Sequence, residues 1–176
     1  MSVGDPYLIL ETERLVLGRQ QAADVSFLTD IWADPEVTRY LGGPRERGWL
    51  QSEFGQTAAN PFAHPHDLWP VFEKETGRGV GHCGLLEKEV DGKAEIELNY
   101  IFAASAWGRG YATEMGRALA QLAFETEGLE RLVALIEPAN ESSERVAIKI
   151  GMRFVKDVAR SGGALRKLYA IDSPSR

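Results

Sequence analysis

Apolar positions recur along the chain with two periods, and the switches between them predict its elements. From Arg14 to Arg19 the apolar run Leu15, Val16 and Leu17 predicts a first strand. Phe27, Leu28, Ile31 and Trp32 follow at helical spacing, with Asp24 placed to cap the first turn and Asp34-Pro35 to end the helix. Gly42-Gly43-Pro44 predicts a turn, and a weaker helix is expected over Glu46 to Ala58. Asn60 to Pro70 holds three prolines and two histidines and reads as a surface loop. Three strands come next: Leu68 to Glu73, Gly79 to Lys88 and Ala94 to Ala103, with turns at Thr76-Gly77 and Asp91-Gly92. In the third, Ile96, Leu98, Tyr100 and Phe102 alternate with Glu95, Glu97, Asn99 and Ile101, giving two faces.

After that strand, Trp107-Gly108-Arg109-Gly110-Tyr111-Ala112 leads into a helix expected to reach about Thr126. Met115, Ala118, Leu119 and Leu122 form its apolar stripe and Gly128 ends it. Arg131 to Glu137 is almost continuously apolar, which predicts a strand buried on both faces. Asn140 is placed to cap a short helix that stops at Gly151. Phe154 to Ala159 and Leu165 to Ile171 form a last strand pair joined by Ser161-Gly162-Gly163. The order is strand, two helices, three strands, helix, strand, helix, two strands: an α/β chain of seven strands and four helices, read as a single domain over 1–176.

Composition narrows the function classes. With 176 residues there is room for one sizeable core. The net charge of −6 argues against a nucleic-acid binder and suits, weakly, a cationic ligand such as an amine. A single cysteine excludes an internal disulfide. No apolar run approaches the roughly 20 residues of a membrane span, and Met1 to Leu10 lacks the pattern of a signal peptide. The expected setting is soluble and cytoplasmic, with no membrane partner.

Chemistry concentrates in two places. Strand, Gly-rich loop and helix from Phe102 to Met115 form the stronger one. The first turn of a helix exposes unpaired N–H groups at the positive end of its dipole, and two glycines let a ligand approach the backbone, so the stretch suits a phosphate or pyrophosphate. A tight turn into a helix is the plain alternative. The stretch is neither an ATP-binding P-loop, since Gly-Lys-Ser/Thr is missing, nor a dinucleotide fingerprint, since it holds only two glycines. About thirty residues on, Asn140-Glu141-Ser142-Ser143 opens the second place. Asn140 alone reads as a cap, and Glu144 and Arg145 as solvated. His64-Pro65-His66 has no Cys or third His at usable spacing, so it reads as loop rather than a zinc site, and no metal is expected. His82 and Cys83 are neighbours on a strand and point to opposite faces, Cys83 as a small buried thiol.

Taken together, these pieces resemble the GCN5-related N-acetyltransferases (the GNAT superfamily), and within it the branch of ribosomal-protein N-terminal acetyltransferases. The likeness rests on Leu10-Glu11-Thr12-Glu13-Arg14-Leu15-Val16-Leu17, on Asp34-Pro35-Glu36-Val37, on Trp107 to Glu114 as the pyrophosphate loop, and on Pro138 to Ser143 with Lys149 and Gly151. It implies the acyl-CoA N-acyltransferase fold, a mixed sheet of about seven strands flanked by about four helices, and an enzyme that moves an acetyl group from acetyl-CoA to a primary amine by direct attack. The implied acceptor is a protein or peptide N-terminus. A small amine (antibiotic, polyamine or amino acid) is the alternative, and a CoA-binding sensor without turnover is a third. The family's cofactor site falls where two strands splay: Ile101 and Phe102 against the pantetheine arm, backbone amides of Gly108, Arg109, Gly110, Tyr111, Ala112 and Thr113 on the pyrophosphate, and Asn140 on the pantetheine. Trp107 stands where the family usually has Gln or Arg.

For the reaction, the family's tyrosine acid is replaced at its position by Ala147, and Ser143 lies one helical turn earlier on the same face. The resemblance makes Ser143 the acid; a second capping hydroxyl is the alternative. The resemblance also makes Glu97 the base, since the family often carries a glutamate three residues before the tyrosine of that strand, here Tyr100; an exposed carboxylate on a solvated sheet face is the alternative. Glu95 is the neighbour of Glu97 on the same face at about 7 Å, which would make a negative acceptor pocket. Deprotonation by water remains open, since an α-amine has a pKa of about 7.7–8.0. Asp157 is a reserve base. Trp49, Trp69, Arg45 and Arg47 are further candidates for the acceptor side, and Trp32 reads as core. Relatives often pair, which admits a homodimer.

Overall fold

The computed structural model describes residues 5–159 and 163–174. Met1 to Gly4 of the opening stretch, and Ser161 and Gly162 of the last expected turn, lie outside the described residues. Among the described residues, eight strands form one sheet in the order β1-β2-β3-β4-β5-β6-β8-β7. They are β1 (Leu8–Glu11), β2 (Leu15–Gly18), β3 (Leu68–Glu73), β4 (Gly79–Val90), β5 (Lys93–Phe102), β6 (Arg131–Ile136), β7 (Arg153–Ala159) and β8 (Leu165–Asp172). The helices are α1 (Val25–Ala33), α2 (Arg47–Ala59), α3 (Tyr111–Gln121) and α4 (Glu141–Ile150). The expected seven strands become eight. Leu8–Glu11 is too short to stand out by alternation, and becomes a strand only by pairing antiparallel with β2, Glu11 opposite Val16.

Among the described residues, the strand pairings are antiparallel except that of β5 with β6. The β4–β5 hairpin closes on Asp91 and Gly92, both at positive φ (50° and 74°). This is the two-residue turn whose twist matches its strands, and the Asp-Gly pair supplies it. One face of the sheet is covered by α3 and α4: Met115, Leu119, Ala147 and Ile150 pack on Leu98, Phe102, Leu132 and Ala134. The other face holds Ile31 of α1 against Leu68 and Ile101, with Phe27, Trp32 and Leu41 around them. The continuous apolar run of β6 serves both sides of the sheet, since Val133 belongs to a separate buried cluster with Val158 and Leu168. Among the described residues no helix is long and apolar enough to cross a membrane.

Local details depart from the expected pattern in two places. Asp24 does not cap α1. Its carboxylate turns back to accept the Gln21 N–H at 2.7 Å, because a short 3-10 turn over Ala22–Asp24 precedes the helix. At the end of α3 the chain widens into a π-turn over Leu122–Thr126 before Gly128.

Candidate active site

The cleft begins where β5 and β6 part. These parallel strands are in register only at Glu97 and Val133, because β6 continues along β8 over all six of its residues. Beyond that point a cleft of about 500 Å³ opens, bordered by β5, the end of β6, the first turns of α3 and α4, and the segment 36–41. The hairpin decides which backbone groups face it. Val90 and Lys93 flank the tight turn, and the Ala103 N–H donates to Val80 O at 2.9 Å. Hydrogen-bonded pairs alternate along an antiparallel ladder, so odd positions from Lys93 to Ala103 turn their backbone to β4. Tyr100 and Phe102 turn theirs to the parted edge. Ile101 borders the cleft, but its backbone faces β4, where Cys83 Sγ donates to its carbonyl at 3.9 Å. Trp107 Nε1 donates to Phe102 O at 2.8 Å, so the expected loop tryptophan ties the loop to the end of β5.

The Gly-rich loop lies across the mouth of this gap. Gly110 caps α3 in the left-handed conformation (φ 81°) and Gly108 sits at φ 75°. Both positions favour glycine because a Cβ makes that region costly. Glu114 N–H donates to Gly110 O at 3.1 Å, so the amides of Tyr111, Ala112 and Thr113 precede the helix's own bonding. Gly108, Gly110, Tyr111, Ala112 and Thr113 all border the cleft. The Arg109 side chain turns away instead and pairs with the buried Glu73 at 2.6 Å. Tyr111 is buried and donates its hydroxyl to the same carboxylate. Hydrogen bonds from Tyr111 and Thr76, together with the Arg109 charge, hold the Glu73 carboxyl below the usual range. These residues therefore shape the loop from behind, while its backbone faces the gap.

Across the cleft, Asn140 caps α4 as expected, its Oδ1 accepting the Ser143 N–H at 3.1 Å and the Ser142 hydroxyl at 2.8 Å. Ser143 is half-buried. Its Oγ donates to the Tyr100 phenol oxygen at 3.2 Å, while the Tyr100 hydroxyl donates to Ser143 O at 3.0 Å. Burial pushes the Tyr100 pKa up to about 12, so the phenol stays protonated in the neutral range. Tyr100 had no assigned role in the sequence, because spacing along β5 says nothing of which helix will cover it. Glu97 is 8% exposed and borders the cleft, with Asn99 Nδ2 donating to its carbonyl at 3.3 Å. Glu95 stands 3.5 Å from Arg131, so the expected purely negative pair of carboxylates has a cation beside it.

Several expectations on the acceptor side do not survive the geometry. None of Trp32, Trp49 and Trp69 borders the cleft. Trp69 is core, Trp49 is 51% exposed, and Trp32 donates Nε1 to His82 Nδ1 at 2.9 Å under the Arg45 guanidinium. Arg47 pairs with Asp30 on the surface. The segment 36–41 borders the cleft instead, with Arg39 resting on Tyr40. Asp157 lies exposed on β7 opposite Lys167, away from the cleft. Glu144 is not solvated: it accepts from Tyr169 and from Lys167, the latter at 3.0 Å. His82 and Cys83 do face opposite sides, the thiol buried and its pKa pushed up by burial. His66 of the proline-rich loop contacts Glu127 at 3.1 Å and Glu87 at 3.6 Å.

Known proteins resemble this chain in sequence and in fold. A family model described as an acetyltransferase (GNAT) domain matches residues 14–153. YkkB of Bacillus subtilis (strain 168) is 31% identical over 152 residues, covering 86% of this chain and 88% of its own. An acetyltransferase structure from Agrobacterium tumefaciens str. C58 superposes with a TM-score of 0.78 at 30% identity, covering 93% of this chain and 94% of that one. The fold is also that of spermidine N-acetyltransferase from Vibrio cholerae, solved in complex with CoA and spermine, at a TM-score of 0.73 and 14% identity over 92% and 97% of the two chains.

Proposed function

The chain belongs to the GNAT acetyltransferase family, and on that footing we propose that residues 1–176 act as one domain that acetylates a primary amine by direct attack, with Glu97 as base and Ser143 as acid. Acetyl-CoA is the family's cofactor and supplies an activated acetyl thioester when bound. The residues present fit it. The first-turn amides of α3 lie ahead of the helix's own bonds, the glycines leave the loop backbone open, and β5 runs on past its last pairing with β6 at Glu97. Amides from Gly108 to Thr113 would hold the pyrophosphate, with the helix dipole adding to the attraction. Tyr100 and Phe102 would pair with the pantetheine arm as an added strand does. Asn140 would contact the same arm.

Glu97 takes the ammonium proton, so that the amine can attack. As the amine nitrogen bonds to the acetyl carbon and the C–S bond breaks, Ser143 would turn its hydroxyl from the Tyr100 oxygen to the departing thiolate and recover a proton from the second one the nitrogen loses; the Tyr100 hydroxyl, bonded to Ser143 O, holds the residue in place. One observation carries the reading: Glu97 and Ser143 border the same cleft from different elements, Glu97 from the residue at which β5 last pairs with β6 and Ser143 from the first turn of α4. A protein or peptide N-terminus is the preferred acceptor. A small polyamine is the second reading, favoured by the spermine in the Vibrio cholerae relative of the same fold.

Calorimetric titration with acetyl-CoA, with ATP and NADH as controls, tests the cofactor. Thiol release with N-terminal peptides and with polyamines then separates the acceptors. Glu97→Gln is expected to lower the rate by roughly 100-fold or more, as loss of a general base does, to change the pH dependence of the rate, and to keep acetyl-CoA affinity. Ser143→Ala is expected to lower kcat with affinity likewise kept. An unchanged rate in either variant removes that residue from the mechanism.

A further inference from the structure

The stretch Thr12 to Leu15 lies within the first segment of the family resemblance, yet none of it borders the cleft. Its arginine is tied to the loop that does. Arg14 Nη1 donates to the Arg109 carbonyl at 2.9 Å, and Nε donates to Glu114 Oε2 at 2.7 Å. The Arg14 N–H donates to Glu114 Oε1 at 2.9 Å, and Thr12 Oγ1 donates to the same oxygen at 2.6 Å. The guanidinium also lies 4.8 Å from the centre of the Tyr111 ring. Glu114 sits in the first turn of α3, so Arg14 is clamped to the helix whose N-terminus forms the site.

The held carbonyl belongs to the peptide between Arg109 and Gly110. That peptide is trans, so its N–H points opposite to its C=O. A carbonyl drawn back to Arg14 therefore sends the Gly110 N–H the other way. Gly108 and Gly110 border the cleft, whereas Arg109 does not. Such a peptide needs an anchor. Rotating it by half a turn chiefly changes ψ of Arg109 and φ of Gly110, and glycine accepts either sign of φ at little cost. The flipped peptide would present a carbonyl oxygen where an anion needs a donor. A charge-assisted hydrogen bond to the carbonyl is strong enough to choose between the two states. Arg14 has a second effect. Glu114 brings a negative charge to the helix end that should attract phosphate, and Arg14 offsets it. Burial alone would raise the Glu114 pKa, but the hydrogen bonds from Thr12 and Arg14 outweigh it and leave the carboxyl ionised.

We propose that Arg14 is a positioning residue for the pyrophosphate loop, holding the Arg109 carbonyl so that the Gly110 amide faces the cofactor. The inference rests on the acetyl-CoA site described above. It is tested by titrating wild type, Arg14→Met and Arg14→Lys with acetyl-CoA and with S-acetylpantetheine, which carries the thioester and no pyrophosphate. Arg14→Met is expected to bind acetyl-CoA roughly tenfold more weakly and S-acetylpantetheine within about twofold of wild type. Arg14→Lys keeps the charge but cannot reach carbonyl and carboxylate together, and is expected to stay well below wild type for acetyl-CoA. Arg14 is 45% exposed on its side chain, so both variants should fold. Equal weakening for both ligands, wild-type affinity in Arg14→Met, or full recovery in Arg14→Lys would each overturn the positioning role while leaving the cofactor reading intact. A wild-type protein that does not bind acetyl-CoA would overturn both.

Discussion

Replacing His82 by Gln should remove a specific part of the protein's acid sensitivity. His82 is buried on β4, its Nδ1 accepting from Trp32 Nε1 at 2.9 Å and its Nε2 facing Leu68 O at 3.0 Å. That pairing requires the neutral ring with its proton on Nε2, since Nδ1 is acting as an acceptor. Protonation would set an N–H against the indole N–H in a buried position. Burial accordingly lowers the His82 pKa from 6.5 to about 4. The sign follows from linkage. Between pH 6.5 and about 4 the unfolded chain binds a proton at this residue and the folded chain does not. Stability from this source is therefore complete above about pH 6.5 and is lost as the pH falls through that window. At about 1.4 kcal/mol per pH unit, the loss is on the order of 3 kcal/mol. Gln can still accept from Trp32 and donate to Leu68 O, but it does not titrate. Urea denaturation of wild type and His82→Gln from pH 8 to pH 4 measures the difference directly. The gap between the two proteins should change by roughly 3 kcal/mol over that range, in favour of the variant at low pH. Parallel stability curves would refute the reasoning and mean that His82 protonates with its surroundings intact.

Other outcomes follow from the same geometry. Tyr100→Phe deletes one hydroxyl and should cost about 1 kcal/mol of stability, roughly 2–4 °C in Tm, while lowering kcat about tenfold, a fraction of what general acid catalysis contributes. A fall in Tm with unchanged kcat would make Tyr100 structural only. Gly84→Ala would place a Cβ 2.0 Å from the Asp67 carbonyl oxygen and 3.2 Å from Leu68 Cα, both backbone atoms, so β3 and β4 must separate there. We expect a loss of about 3 kcal/mol, visible as a Tm drop of roughly 6–12 °C. A Tm within a degree of wild type would contradict the close approach of those strands.

Most of the fold was legible because its signals are local. The bounds of β3 match the apolar run Leu68 to Glu73, and the Asp-Gly turn set the β4–β5 hairpin and hence the register of β5. The caps of α4 at Asn140 and Gly151 were equally readable, since each satisfies groups within a few residues. The Gly-rich loop that borders the cleft was readable from two glycines before a helix. Less was legible where one residue's role depends on another far along the chain. Asp24 has a capping residue's chemistry, but a 3-10 turn redirected it. Glu144 looked solvated in a polar stretch, and only the packing of β8 beside α4 brought Tyr169 and Lys167 to it.

The sequence by itself determined the element order, the alternation that puts Glu97 and Tyr100 on opposite faces of β5, and the Gly-rich turn that opens α3. Each depends on contacts within one turn, one hairpin or one helix end, where spacing along the chain is spacing in space. Tertiary structure alone decided that β6 follows β8 and leaves β5 after Glu97, that Tyr100 meets Ser143, and that Arg14 grips a loop some ninety residues away in sequence. Those contacts join segments whose separation along the chain carries no distance information. They exist only once the two faces of the sheet have been covered and the remaining polar groups have found partners.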